Sequence, residues 1–417
     1  MKIKQTISML AAALFLFTAC QEADVTENEV KTRYQAKSGA TRKVLIVGID
    51  GLQYEKIAGL TTPNLQSLTM TKAYTGGISG TSSEQATYSG PGWMSILTGV
   101  WQNKHGVPDN NSTTYRSQAK SVFQYVKESN SALKTASIAT WSPIHQFLDN
   151  QMQYVDYRYE GGDDNDAESR ALNEITTHAP DLLFVHFDDV DHVGHASGFS
   201  SVYNSSIEQV DVRLGKLMAA VATRNTQNNE DWLVIVVTDH GREASGFNHG
   251  SQTEQEKTIF IGMNKPGNEE FTTPVTTIPN QAFNKLYSFA AQTSVVPTAL
   301  TYLGIEVNKD WQLASTSLID NMGVRKVMLQ ANNSLYWYSQ DSGTAQIYRD
   351  NQLIASVPAN QGSYTDTNTV NGKVNNTIML NGQSASLIRN NSTIIAGLDW
   401  NDAANNTAYF FRSDMKY

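Results

Sequence analysis

Three short apolar runs frame this chain: Val44-Leu45-Ile46-Val47-Gly48-Ile49, Leu182-Leu183-Phe184-Val185-His186-Phe187 and Leu233-Val234-Ile235-Val236-Val237. Each opens within a residue or two onto aspartate or histidine. Apolar runs without polar alternation suit strands buried on both faces, as in parallel sheets. In an open α/β sheet the ligand-binding residues collect beyond the carboxyl ends of such strands. Asp50, the stretch from Asp188 to His195, and Asp239-His240 are therefore expected along one rim. Carboxylates and imidazoles gathered this way suit divalent cations, and a pair of cations suits transfer of phosphoryl or sulfuryl groups.

From Arg42 to about Ile319, strand-like and helix-like segments alternate, the pattern of a mostly parallel sheet flanked by helices. Helices are expected over 93–97, 118–128, 167–177 and 201–223. In the last, Val210, Leu214, Leu217, Met218 and Val221 recur at three- and four-residue spacing and give it one apolar face. Beyond Gly304 the pattern changes. Short runs such as Ser334 to Tyr338, Ala345 to Arg349, Leu353 to Val357 and Thr377 to Leu380 alternate with Asn, Gly, Ser and Asp turns, which predicts a small β-sandwich over 326–417. Its segments Ala345 to Ala355 and Ser363 to Thr367 resemble fibronectin type III modules.

The N-terminus carries Lys2 and Lys4, an apolar stretch from Ile7 to Phe17, then Phe17-Thr18-Ala19-Cys20. This resembles a bacterial lipoprotein signal over 1–19. It implies lipidation of Cys20 after cleavage, export, and attachment to a membrane by a lipid anchor instead of a span. A polar stretch over 20–41, acidic at Glu22, Asp24, Glu27 and Glu29, reads as a flexible tether to a hydrolase domain over 42–319. Cys20 is the only cysteine, so disulfides and thiolate ligands are excluded and any metal falls to Asp, Glu and His. A formal net charge of −9 gives no general attraction to nucleic acid polymers, and none is expected as a partner.

Seven positions are candidates for one site. Asp50 follows the first strand between glycines; Asp191 and His195 lie four apart around Gly194; Asp239 and His240 adjoin after the third strand, and His249 follows in a glycine-flanked loop. Ser89, ahead of Gly90-Pro91 and a short helix, would sit where free amides can hold a phosphoryl oxygen, and cation coordination would lower the pKa of its hydroxyl. Taken singly, these residues read equally well as turn, cap or packing residues; the case rests on the set.

The ordered set Ile49-Asp50-Gly51, Ser89-Gly90-Pro91-Gly92-Trp93 with Ser95 to Gly99, Lys104-His105-Gly106-Val107, Asp191-His192-Val193-Gly194-His195, and Thr238-Asp239-His240-Gly241 with His249-Gly250 resembles the alkaline phosphatase superfamily. Within it, the likeness is to the type I phosphodiesterase/nucleotide pyrophosphatase branch, over roughly Lys43 to Gly304. The resemblance implies an alkaline-phosphatase-like fold and two divalent metal ions, commonly zinc. Asp50, Asp239 and His240 would hold one, and Asp191, His195 and His249 the other. Ser89 would attack a small phosphate ester in line and pass through a covalent phospho-serine.

The chain departs from that branch where threonine and a nearby asparagine are usual. Here Ser89 is followed by Gly92 and Trp93, so Asn110, Asn111 or Arg242 must support the oxyanion, and Thr87 becomes the nucleophile if the register is shifted. Trp93, Trp141, His145, Tyr157 and Tyr159 are candidates to line a substrate pocket. With no evident cationic clamp for a doubly charged monoester, a diester or pyrophosphate is favoured over a monoester. A sulfatase would need arginine where Trp93 stands, and a phosphoglycerate mutase would need an inserted second domain. The reading from another class is a non-catalytic surface lipoprotein that binds glycan or protein.

Overall fold

The computed structural model describes residues 39–330, 332–367 and 372–391. The lipoprotein-like segment with Cys20, nearly all of the expected tether and positions 392–417 lie outside the described residues. The strands, in chain order, are β1 (Thr41–Ile49), β2 (Thr69–Tyr74), β3 (Thr135–Ala139), β4 (Tyr157–Glu160), β5 (Leu182–Phe187), β6 (Glu230–Val237), β7 (Thr258–Met263), β8 (Ala290–Ala291), β9 (Arg325–Leu329), β10 (Leu335–Tyr338), β11 (Thr344–Arg349), β12 (Gln352–Pro358), β13 (Ser363–Tyr364), β14 (Gly372–Leu380) and β15 (Gln383–Asn391).

The first eight form one sheet in the order β4-β3-β5-β1-β6-β7-β2-β8. β7 runs antiparallel to both neighbours, and the remaining pairings are parallel. Side chains along β1 alternate between two cores, as the two-residue period of a strand requires. Val44 and Ile46 pack with Trp93, Ile96, Val296 and Leu300; Leu45, Val47 and Ile49 pack with Ile207, Val210, Leu214 and Leu217. Register then sets the rim. Gly48 lies opposite His186 on one side and Val237 on the other, so the three central strands end level and release Asp50, Asp188 and Asp239 at one edge.

Helices fall near their expected places, with ends set by caps. The 118–128 expectation begins only at Val122, because the Ser121 side chain accepts from Gln124 N and starts the helix there. The 167–177 expectation is an α-helix, Asp164–Asn173, capped by Asp163 and continued by a π turn, Glu174–His178. The long helix runs Ser201–Gln227 and buries Val210, Leu214, Leu217 and Val221.

His105 closes the short turn Gln102–His105 inside the first core. Its Nδ1 accepts from Val107 N at 3.2 Å, leaving Nε2 to donate to Ser95 Oγ at 3.3 Å. Burial pushes its pKa from 6.5 down to about 3. The unfolded chain therefore binds a proton that the folded chain refuses, and stability is lost as pH falls from about 6.5 toward 3. His105→Gln is expected to flatten this acid limb in urea midpoints measured across that window, leaving neutral-pH stability changed by about 1 kcal/mol or less.

The C-terminal part holds two antiparallel sheets, β13-β10-β9 and β12-β11-β14-β15, closed around Val324, Leu335, Trp337, Ile347, Ile378 and Leu380. This is a small β-sandwich. It is joined to the first domain through Met328, which packs with Tyr74, Trp101 and Tyr287, and through a buried ion cluster. There Glu270 accepts from Arg325 Nε at 2.8 Å and from Lys326 Nζ at 2.6 Å. Among the described residues, no helix is long and apolar enough to cross a membrane.

Candidate active site

Ser89 is the first residue of the helix Ser89–Thr98, whose start is held against the rim. Gly92 permits the approach: a Cβ there would lie 2.9 Å from Asp239 Cβ. Ser89 Oγ lies 3.2 Å from His240 Nε2. The ring's Nδ1 donates to Gly241 O at 3.0 Å, so Nε2 presents a lone pair. That lone pair faces Asp239 Oδ2 at 3.3 Å and Asp50 Oδ1 at 3.5 Å, and among the described residues neither oxygen has a hydrogen-bond donor. Burial holds the His240 pKa well below the ordinary imidazole value, aided by His249, and holds Asp50 and Asp239 well above the ordinary carboxylate value, aided by neighbouring carboxylates.

Two orphaned carboxylate oxygens, each within 3.5 Å of one lone pair, are repelled by it unless a cation or a proton lies between them. Tetrahedral donors about 2.0–2.1 Å from a metal are roughly 3.3 Å apart, close to the two spacings from His240 Nε2. The residues present thus fit a divalent cation.

Asp191 and His195 lie on the helix Asp189–Ser197, and their four-residue spacing stacks both on one face. Asp191 Oδ2 is 3.1 Å from His195 Nε2, which is 3.1 Å from His249 Nε2. His195 Nδ1 donates to Phe247 O at 2.8 Å, and His249 Nδ1 donates to Thr87 O at 2.9 Å, so both Nε2 atoms face inward. The loop after β6 folds back far enough that His249 stacks on His240 with centroids 3.7 Å apart. Burial would raise Asp191, but the hydrogen bond with His195 and the charges of His240, Arg242 and His249 outweigh it and hold the carboxyl below the ordinary range; the same hydrogen bond raises His195. Asp191, His195 and His249 can together hold a metal ion, Asp50, Asp191 and His240 form an overlapping set, and Asp50, His186 and Asp188 form a third.

Each of the three carboxylates has one oxygen taken by the protein. Asp50 Oδ2 accepts from Trp93 Nε1 at 2.8 Å and lies 3.1 Å from His186 Nε2; Asp239 Oδ1 accepts from Gly51 N at 3.2 Å; Asp191 Oδ1 pairs with Arg242. The other oxygen of Asp50 and of Asp239 is left without a donor, and that of Asp191 faces His195 Nε2. Gly51 is essential to this packing, with φ at +59° and no room for a Cβ against Asp191 and Arg242. Gly51→Ala is expected to displace Asp191 and weaken metal binding by at least about tenfold in a zinc titration.

Three sequence candidates stand elsewhere than expected. Arg242 is fully buried, its guanidinium spent on Asp191 and on the carbonyls of Gly246 and Phe247, so it braces the loop and does not face a substrate. Trp93 is fully buried behind Asp50, so it is no pocket wall. Asn111 is exposed and accepts from Thr113 and Thr114 in its own turn. Asn110, by contrast, reaches the Ser89 turn: its Oδ1 accepts from Gly90 N at 2.7 Å. Thr87 is turned away, its hydroxyl 3.2 Å from Glu256 Oε2 and accepting from Gly250 N and Gln252 N. Of the other aromatic candidates, His145 is buried against Ser137 and Glu160, Trp141 packs on Phe147, and Tyr159 lies under Arg170.

Sequence reasoning passed over His186. It lies inside β5, wholly buried, and contacts Asp50. The available signal was a polar ring in an otherwise apolar strand, which demands a partner.

Residues 44–161 and 139–255 match the type I phosphodiesterase / nucleotide pyrophosphatase family. A GPI ethanolamine phosphate transferase 2 of Schizosaccharomyces pombe is 29% identical over 142 residues, covering 33% of this chain and 18% of that protein. An uncharacterised pyrophosphatase/phosphodiesterase of the same yeast is 26% identical over 228 residues, 49% of this chain and 46% of that one. The chain thus spans less than half the length of either relative. Among solved structures, murine ectonucleotide pyrophosphatase/phosphodiesterase 5 aligns at 19% identity and a TM-score of 0.36, over 48% of this chain and 57% of that one. Because the family match runs over just over half of its length, the chain belongs to the type I phosphodiesterase / nucleotide pyrophosphatase family.

Proposed function

We propose that this protein is a two-metal phosphoester hydrolase that acts through Ser89, with phosphodiesters or pyrophosphates as substrates. Family membership supports the reaction class. The observation that carries the reading is the placement of Ser89 Oγ 3.2 Å from the inward lone pair of His240, beside buried carboxylate oxygens that lack a donor. Asp50, Asp239 and His240 would hold one divalent ion and Asp191, His195 and His249 the other, with zinc favoured by a nitrogen and oxygen donor set. The pair would supply the positive charge that makes the serine hydroxyl acidic and neutralises the phosphoryl oxygens.

Ser89 Oγ forms a bond to phosphorus as the bond to the leaving oxygen breaks; water then cleaves the resulting phospho-serine and restores the hydroxyl. Asn110, tied to Gly90 N through its carbonyl oxygen, keeps its amide NH₂ at the Ser89 turn as a donor for a phosphoryl oxygen. Arg242, spent on Asp191, does not serve a second phosphoryl charge, which favours diesters over monoesters.

The test is a panel of aryl monoester, aryl diester, nucleotide pyrophosphate, phosphonate and sulfate ester, run on zinc-loaded protein. Diester or pyrophosphate turnover above monoester is expected. Preferred sulfate-ester turnover, or none at all with metal bound, would overturn the reading, and the latter would favour a non-catalytic binding lipoprotein. Because a curated relative bears the name of a phosphate transferase, the panel is repeated with an added alcohol; a phosphorylated alcohol product would identify transfer in place of hydrolysis.

We also propose that the chain is exported and tethered through lipidated Cys20, with the C-terminal sandwich as a fibronectin type III-like accessory domain. Cys20→Ala is expected to move the protein from the detergent phase to the aqueous phase in cell fractionation; unchanged partitioning would reject the anchor.

A further inference from the structure

We propose that His186 is a positioning residue for Asp50, holding its carboxylate so that Oδ1 alone is offered to a cation. The inference rests on the two-metal reading above and names a residue outside the six proposed ligands.

His186 lies in the interior of β5, opposite Gly48 and Ala139, with no solvent exposure. An imidazole buried there costs desolvation unless both nitrogens find partners. Nδ1 is 3.0 Å from Thr140 Oγ1, and Nε2 is 3.1 Å from Asp50 Oδ2. An ionised Asp50 can only accept, so the ring proton belongs on Nε2 and points at Oδ2; Nδ1 then accepts from the Thr140 hydroxyl, which also lies 3.3 Å from the His186 carbonyl oxygen. Trp93 Nε1 donates to the same oxygen at 2.8 Å, and the two rings meet edge to face at 4.8 Å.

Two N–H groups on Oδ2 fix the carboxylate's rotation, and Oδ1 is left without a donor 3.5 Å from His240 Nε2. The hydrogen-bond chain runs Thr140, His186, Asp50, from the end of β3 across β5 to the end of β1. A carboxylate held this way offers one oxygen in one direction. A free one can rotate, or chelate through both oxygens and draw the ion off position.

The test is zinc affinity by chelator competition, in the His195→Ala background, which removes a ligand of the other position and leaves the Asp50 position to titrate. His186→Phe is expected to weaken zinc binding by about 10- to 100-fold. His186→Gln, whose amide can still donate, should recover most of the loss. In the otherwise wild-type protein, kcat should fall with KM little changed. Thr140→Val keeps the ring but removes the hydroxyl; it should show a smaller loss of the same kind, and it carries the test if His186→Phe does not fold. Wild-type zinc affinity in His186→Phe with only a lowered Tm would overturn the proposal and leave His186 a packing residue. Loss of a third equivalent of zinc would overturn it too, making His186 a ligand. If the wild-type protein binds no zinc, the two-metal reading itself fails, an outcome distinct from both.

Discussion

Replacing Ser89 with alanine is expected to abolish turnover of an aryl phosphodiester, lowering kcat by about three orders of magnitude or more while zinc content and Tm stay near wild type. Ser89 Oγ is the hydroxyl facing the His240 lone pair, and its helix is anchored independently through Gly90 N to Asn110 and through Trp93 to Asp50. Removing one oxygen from this turn leaves those anchors in place, so a loss of activity would not be a loss of fold. Thr87→Val is the informative control. Its hydroxyl supports the amides of Gly250 and Gln252, so the variant should loosen the His249 loop and reduce activity without eliminating it. Full activity in Ser89→Ala, or complete loss confined to Thr87→Val, would reassign the nucleophile.

Asp239→Asn is expected to separate stability from activity, with effects of opposite sign. In the metal-free protein, Asp239 Oδ2 and Asp50 Oδ1 are buried without donors near the same lone pair, a destabilising arrangement. An asparagine can keep the bond from Gly51 N while removing one of these charges. Metal-free Asp239→Asn should therefore be more stable than metal-free wild type by about 1–3 kcal/mol, and inactive. Zinc at about 100 times its Kd should add roughly 2.7 kcal/mol to the wild type and far less to the variant. Chemical denaturation with and without zinc measures all four states. A variant less stable than wild type in the absence of metal would show that these carboxylates are satisfied without a cation.

The rim was legible in the sequence because its determinants are local: an apolar strand, then an acidic residue, three times over. Parallel register needs no further information once the strands are buried on both faces, and it brings Asp50 and Asp239 level. Asp191 and His195 were likewise readable from their spacing, although the helix that stacks them was not foreseen. What could not be read is how the side chains beneath the rim turn. Arg242 and Trp93 each carry donors suited to a substrate, and only the packing, with Gly51 and Gly194 admitting the guanidinium and Gly48 the indole, directs those donors inward to Asp191 and Asp50. His186 escaped notice for the complementary reason. Its significance depends on Thr140 and Asp50, distant in sequence and adjacent only across the sheet.

The pairing of Glu270 with Arg325 and Lys326 bears on how this chain can be dissected. Cutting after position 319 removes both cations and leaves a carboxylate in a site shaped to exclude water, along with the bare apolar surface of Tyr74 and Tyr287 that Met328 covers. A shortened enzyme of that kind would be prone to aggregate, and its inactivity would say nothing about whether the distal sheets touch the reaction. Charge-matched point changes along the seam, such as Glu270→Gln combined with Lys326→Met, are the sounder way to ask what the C-terminal sandwich contributes.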